Sequence, residues 1–204
     1  MAELKPTVSF IVPHLGTSIR RSVGLQRCID SIYALKYPQD LIDIKIVDGP
    51  QTVPEKVKWG VENSHGDWIC YMANDTIMAP ESLKIALQAA KTHNKRLVAF
   101  HDGPVYPDEG NACTHFIIKR DLLPLLKDGE VFSKNYHHVG CDNWLHAQAK
   151  KLNEFIHCDE AIIEHNHFSK DSAVHDEVYA KGWSKVEQDR AQLKKDLEEL
   201  YVNP

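Results

Sequence analysis

Apolar, β-branched runs alternate along the first half of the chain with stretches whose apolar residues recur every three or four positions. Thr7-Val8-Ser9-Phe10-Ile11-Val12 reads as a first strand buried on both faces, stopped by Pro13. A polar segment, 14–22, precedes Leu25, Cys28, Ile29, Ile32 and Leu35 at helical spacing. Tyr37-Pro38 ends that helix, because the residue before proline is pushed out of the helical region. Residues 41–47 read as a second strand closed by the turn Asp48-Gly49-Pro50, and Val53, Val57 and Val61 line one face of a second helix. Gly66-Asp67 leads into a third strand from Trp68 to Met72, which stops abruptly at Ala73-Asn74-Asp75-Thr76. Pro80 then opens a helix with Glu81 in its first turn, where a carboxylate suits the helix dipole; Leu83, Leu87 and Ala90 continue it. Residues 97–100 read as a fourth strand. This alternation predicts a three-layer α/β domain with a mostly parallel central sheet.

The second half is less regular. Residues 101–111 carry two Gly and two Pro and read as a loop. Residues 114–118 read as a strand and 122–126 as a short helix interrupted by Pro124. Cys141-Asp142-Asn143-Trp144 opens a helix running to about 152, with Asp142 or Asn143 as its cap. Two short strands follow, 155–158 and 161–164, and then His165-Asn166-His167-Phe168. From His175 the pattern is one long amphipathic helix, with Trp183, Val186, Leu193, Leu197 and Leu200 on one side. Docking on the same domain is the favoured reading, and a homodimer through this helix is the other.

Composition changes this picture little. The 204 residues, 43% hydrophobic and 26% charged, are those of one ordinary globular domain. A net charge of −5 does not advertise a nucleic-acid or membrane-surface protein. No stretch approaches the roughly 20 apolar residues of a membrane span, and the N-terminus lacks a secretory pattern. Five scattered cysteines do not form a disulfide framework, so reduced thiols and a cytoplasmic location are expected. Twelve histidines, most of them in the second half, are the unusual feature.

Candidate chemistry centres on Asp75. Ligands of open α/β sheets bind just beyond the carboxyl ends of strands, and a carboxylate there meets a cation or a hydroxyl. Taken in order, the landmarks resemble the family 2-like glycosyltransferases of the GT-A fold. Phe10-Ile11-Val12-Pro13-His14 matches the opening strand and polar turn, and Val47-Asp48-Gly49 the nucleotide-gripping turn. Gly66-Asp67-Trp68 matches the step before the third strand, and Ala73-Asn74-Asp75-Thr76 the metal-binding acidic motif. Cys141-Asp142 matches the acidic pair before the acceptor-side helix, and His165 the later histidine. Ala73 and Cys141 replace acidic residues, and one Asp followed by Gly-Pro stands in the second-strand turn. The Gln-x-x-Arg-Trp signature of processive synthases is absent.

The resemblance implies a GT-A domain over 1–170, with a nucleotide-sugar half to about 100 and an acceptor half to 170. Residues 171–204 would form a helix packed on it. It implies an inverting, metal-dependent glycosyltransferase with Mn²⁺ or Mg²⁺ and a nucleoside-diphosphate sugar, UDP-sugar first. Asp75 and His165 would hold the metal; Pro13, His14, Asp48, Asn74 and Asp75 would line the donor site. Asp142 would be the general base. The first acceptor expected is a hydroxymethylated base in phage DNA, with Lys119, Arg120, Lys127, Lys134, Lys150 and Lys151 as phosphate contacts, and a saccharide stands close behind.

Blander or rival readings stand beside these. Asp142 caps a helix, Asp48 closes its own turn, and His137-His138 is plain surface. His165 and His167 with Cys158 or His157 form a structural zinc site. A sugar-nucleotide nucleotidyltransferase shares the fold but wants a Gly-rich basic loop after the first strand, where only Gly16, Arg20 and Arg21 stand. A non-catalytic binding module on a decayed transferase fold would explain Ala73 and Cys141.

Overall fold

β1 (Val8–His14) is flanked by β2 (Ile42–Asp48) and β3 (Trp68–Tyr71), both parallel to it. The computed structural model describes residues 5–14, 19–49, 51–103, 113–166 and 184–202, with side chains from 22 onward in the first helix. Contrary to expectation, Pro13 does not stop the strand. Pairing with β3 ends at Ile11, while pairing with β2 continues through Pro13 and His14. A proline lacks the donor a second neighbour would need, and here that side is open. The opening between the ends of β1 and β3 is the crevice where strand order reverses, the usual ligand position in such sheets.

Seven strands follow the order β2-β1-β3-β6-β5-β7-β4, with β4 Thr76–Met78, β5 Leu97–His101, β6 Phe116–Lys119 and β7 Phe155–His165. Strands β1, β2, β3, β5 and β7 share one direction; β6 and β4 oppose it. The sheet is mostly parallel, as expected. The two short strands foreseen at 155–164 are one strand, broken in register by a bulge where Phe100 pairs Cys158 and His101 pairs Ile162.

Strand alternation sends successive side chains to opposite faces. Val8, Phe10, Cys70, Val98 and Ile117 pack under α1 (Ile19–Tyr33) and α3 (Ser82–His93). Ile11, Ile69, Leu97, Ala99, Phe116 and Ile118 face the other way, where α2 (Val53–Glu62) and α4 (Cys141–Lys151) lie. Leu193, Leu197 and Leu200 of α5 (Val186–Val202), each partly buried, pack on this second cluster, so this part of its apolar stripe docks within the chain. Trp183 and His175 lie outside the described residues.

Local sequence explains the joins. Gly66 crosses β1 so closely that a Cβ would sit 2.5 Å from the Ser9 nitrogen. Asp67 then accepts from the Thr7 backbone nitrogen at 2.9 Å and its hydroxyl at 2.8 Å. This Gly-Asp step staples the start of β1 to β3. Helix α3 begins at Ser82, not at Pro80; Glu81 precedes it, makes no cap hydrogen bond and pairs with Lys36 at 2.8 Å. Residues 120–125 form a 3₁₀ helix containing Pro124. No helix among the described residues is long and apolar enough to cross a membrane. All five cysteines are buried free thiols.

Candidate functional site

A strand the sequence reading missed builds the centre of the site. β4 pairs antiparallel with the end of β7, Thr76 opposite His165, and the backbone nitrogen of Asn166 donates to the Asp75 carbonyl at 3.0 Å. The Asn74-Asp75 turn is fastened from below: the Thr76 hydroxyl donates to the Ala73 carbonyl at 2.6 Å, and Thr76 is fully buried. Asp75 Oδ1 therefore lies 3.5 Å from Nε2 of His165.

The other nitrogen of His165 lies 3.6 Å from Oδ2 of Asp102, at the end of β5. Asp102 Oδ2 also accepts from Nδ1 of His115 at 3.0 Å, and the two imidazoles meet edge to face at 4.6 Å. Ligating atoms of Asp102, His115 and His165 all fall within 4.8 Å of one another. His115 is 1% exposed, and its Nε2 has no hydrogen-bond partner among the described residues.

Charges follow from this chain of contacts. Burial opposes the charged form of His165, but the carboxylates of Asp102 and Asp75 outweigh it and raise the imidazole to about 9. Burial would likewise raise Asp102, yet its two histidines hold the carboxyl well below the usual range. His115 is pushed down by burial, against the pull of Asp102. The structure thus brings two imidazoles, pushed in opposite directions, to a single carboxylate.

At the crevice between β1 and β3, the Asn74 amide donates to Nδ1 of His14 at 2.8 Å. The ammonium of Lys56, a 5% exposed residue of α2, donates to the His14 carbonyl at 2.7 Å. Asp48, opposite His14 across the β1–β2 pair, is exposed and accepts from the Gly49 nitrogen at 2.8 Å. Pro13, His14, Asn74 and Asp75 therefore share one edge of the sheet, with Asp48 one strand away.

Asp142 stands in the first turn of α4, not at its cap. The cap is Gly140, whose φ of 81° is a left-handed conformation; no side chain caps this helix. Tyr71 connects the regions. Burial pushes its hydroxyl well up, and the charges of Asp142 and Asp75 add to that. Its ring stacks on His115 with centroids 6.2 Å apart. Cys141 is no substitute acid: burial raises its thiol far above the ordinary value, and Sγ donates to the His138 carbonyl at 3.2 Å.

The structure bears on three further readings. His137 is not plain surface. Its backbone nitrogen and Nδ1 both donate to Asp189 of α5 at 3.0 Å, and the nitrogens of His138 and Val139 donate to the same carboxylate. The expected zinc grouping includes His167, which lies outside the described residues; among the described ones His165 turns to Asp75 and Asp102, and His157 bonds Asp159 at 2.9 Å. Three of the six basic residues expected to meet phosphate have partners within the chain. Arg120 donates to the carbonyls of Gly66 and Val61 and to Ser64, Lys119 pairs Asp121, and Lys127 pairs Glu199.

Sequence reasoning missed Asp102, His115 and Lys56. Asp102 precedes Gly103-Pro104 and reads as a turn, and Lys56 sits on a helix that reads as solvated. The density of histidines was the only available signal.

This sheet order, with helices on both faces and a crevice at the reversal, is a fold of the GT-A type. No protein-family profile matches the chain, and no curated protein matches it in sequence. Among solved structures it is similar to the mannosyltransferase PcManGT from Pyrobaculum calidifontis in complex with GDP-Man and Mn²⁺. The TM-score is 0.65 at 14% identity, covering 98% of this chain and 71% of that one. S. aureus TarS gives 0.61 at 13% identity, covering 96% of this chain and 44% of that one. TarS 1–349 in complex with UDP-GlcNAc gives 0.57 at 12% identity, covering 95% and 71%.

Proposed function

We propose that the chain is an inverting glycosyltransferase that moves a sugar from a nucleoside-diphosphate sugar, UDP-sugar first, to an acceptor hydroxyl. The observation that carries this reading is the meeting of Asp75 and His165 at the crevice edge, beside His14 and Asn74. The likeness in fold to enzymes solved with GDP-Man or UDP-GlcNAc supports it.

The residues present suit a divalent cation. A carboxylate and an imidazole facing each other are acceptable donors to Mn²⁺, and diphosphate oxygens would complete its shell. Asp75 and His165 would hold it. The acid missing at Ala73 has a partial counterpart in Asp102, which would take the Nδ1–H of His165 and aim Nε2 at the metal, as carboxylates behind ligating histidines do. When bound, the cation supplies Lewis-acid stabilisation of the diphosphate. Lys56, held at the His14 carbonyl, adds positive charge to the same edge. Asp48 and the backbone at Pro13-His14 would line the nucleotide.

Asp142 is assigned the base. The dipole of α4 favours its ionised form, so it can take the acceptor proton as the hydroxyl attacks. One base facing the leaving group gives a single in-line displacement and inverts the anomeric carbon. A saccharide is the acceptor class favoured here. A hydroxymethylated DNA base is the second, weakened because Lys119, Arg120 and Lys127 have intramolecular partners.

A thermal-shift panel of UDP-, GDP- and dTDP-sugars with and without Mn²⁺ tests this. A bound ligand raises apparent stability by mass action. A metal-dependent rise with one donor is expected, followed by sugar transfer. No rise with any donor, or pyrophosphate release from a nucleoside triphosphate instead, overturns it.

A further inference from the structure

A second cluster of metal-ligating side chains lies outside the site just described. The end of β5 and the bulged part of β7 bring His101, His157 and Asp159 together, with ligating atoms all within 4.8 Å of one another. His157 is the strand partner of Ala99, and His101 lies two residues beyond Ala99. The two imidazoles therefore belong to the same sheet face, and their rings meet edge to face at 5.8 Å. The bulge leaves Asp159 free of strand pairing, and its carboxylate reaches Nδ1 of His157 at 2.9 Å.

A further imidazole stands beside this group. His146 of α4 packs on Phe155 with ring centroids 4.2 Å apart, and Phe155 lies two residues before His157 on β7. The Nε2 of His146 is buried with no hydrogen-bond partner among the described residues. Three imidazoles and one carboxylate thus gather at one corner of the sheet.

We propose that His101, His157 and Asp159 form a second metal site, for a borderline divalent cation, Zn²⁺ foremost. Two imidazoles and one carboxylate are the donors such an ion takes, with water in the open position. Occupancy would tie the end of β5 to the bulge of β7, next to Asp102. The site makes no use of Asp75, His165 or a sugar nucleotide. Its failure is therefore distinct from failure of the transferase reading.

Equilibrium dialysis against Zn²⁺ tests it in a chain carrying Asp75→Asn and His165→Gln, which removes competition from the first site. One retained equivalent is expected, with a higher melting temperature in zinc. Adding Asp159→Asn, at an exposed side chain, should weaken zinc binding at least about tenfold, and His157→Gln should do the same. In the wild-type chain, zinc should shift the imidazole resonances of His101 and His157. Unchanged zinc retention in both added variants overturns the site, and so do unmoved His101 and His157 resonances at saturating zinc.

Discussion

Nε2 of His165 lies 3.5 Å from Oδ1 of Asp75, and a three-residue strand makes the connection. Pairing of β4 with β7 sets the two side chains opposite each other at the carboxyl edge of the sheet. If they share a cation, Asp75→Ala and His165→Gln should each lower Mn²⁺ affinity by at least about tenfold, the loss found even for outer partners of a metal ligand. Calorimetric titration of Mn²⁺ with a UDP-sugar present reads this directly. Wild-type affinity in both variants would dissolve the proposed centre.

Asp142 has a different signature. Asp142→Asn should leave the donor's dissociation constant unchanged while kcat falls by about 10²–10⁴, the usual contribution of a positioned base. Separate donor-binding and single-turnover measurements make the distinction. Full turnover in this variant would transfer the base role to another group.

In the proposed centre Asp102 would act on the metal through His165, whose imidazole it faces at 3.6 Å. Asp102→Asn keeps the shape but not the charge behind the imidazole, so Mn²⁺ affinity should fall about 10–100-fold. Electron paramagnetic resonance of free Mn²⁺ during a titration measures it. A lower melting temperature with unaltered Mn²⁺ affinity would reduce Asp102 to a role in packing.

Asp189 concerns stability. It is fully buried and accepts from the backbone nitrogens of His137, His138 and Val139, fixing the loop that enters α4 through Gly140. Asp189→Ala leaves those donors without their acceptor and should cost roughly 2–3 kcal/mol, or about 5–10 °C in melting temperature. Burial opposes ionisation, but these hydrogen bonds hold the carboxyl below its ordinary 3.8. A depressed folded value means the contribution is complete above that pH and is lost as pH falls through the folded value. Acid unfolding curves should therefore converge for the wild type and Asp189→Ala at low pH and separate at neutral pH. Parallel curves would contradict the linkage.

The layered α/β fold was legible because its signals are local. Thr7 to Val12 and Trp68 to Met72 are continuous apolar runs, and Leu25, Cys28 and Ile32 repeat at helical spacing; each pattern is decided by residues a few positions apart. Pro13 misled for the same reason: whether a strand tolerates proline depends on which neighbour lies beside it, and β3 ends before that point. The cap of α4 misled likewise, since Gly140 enters the helix with a left-handed φ of 81°, and Leu193 of α5 lies 3.3 Å from where a Cβ would stand.

Asp75, at the end of an apolar run, could be singled out from the chain alone. Its meeting with His165, and the joining of Asp102 and His115 behind that histidine, could not. Those contacts depend on β4, β5, β6 and β7 pairing across long stretches of chain, and hydrogen-bond register between distant strands leaves no mark in the spacing of neighbouring residues. The amino-acid order by itself determined the main strands and helices, because burial periodicity is written locally, but not the three-residue β4, which is too short to carry such a period. Only the tertiary structure decided which carboxylates and imidazoles face one another, because that is settled by the energy of packing the whole sheet.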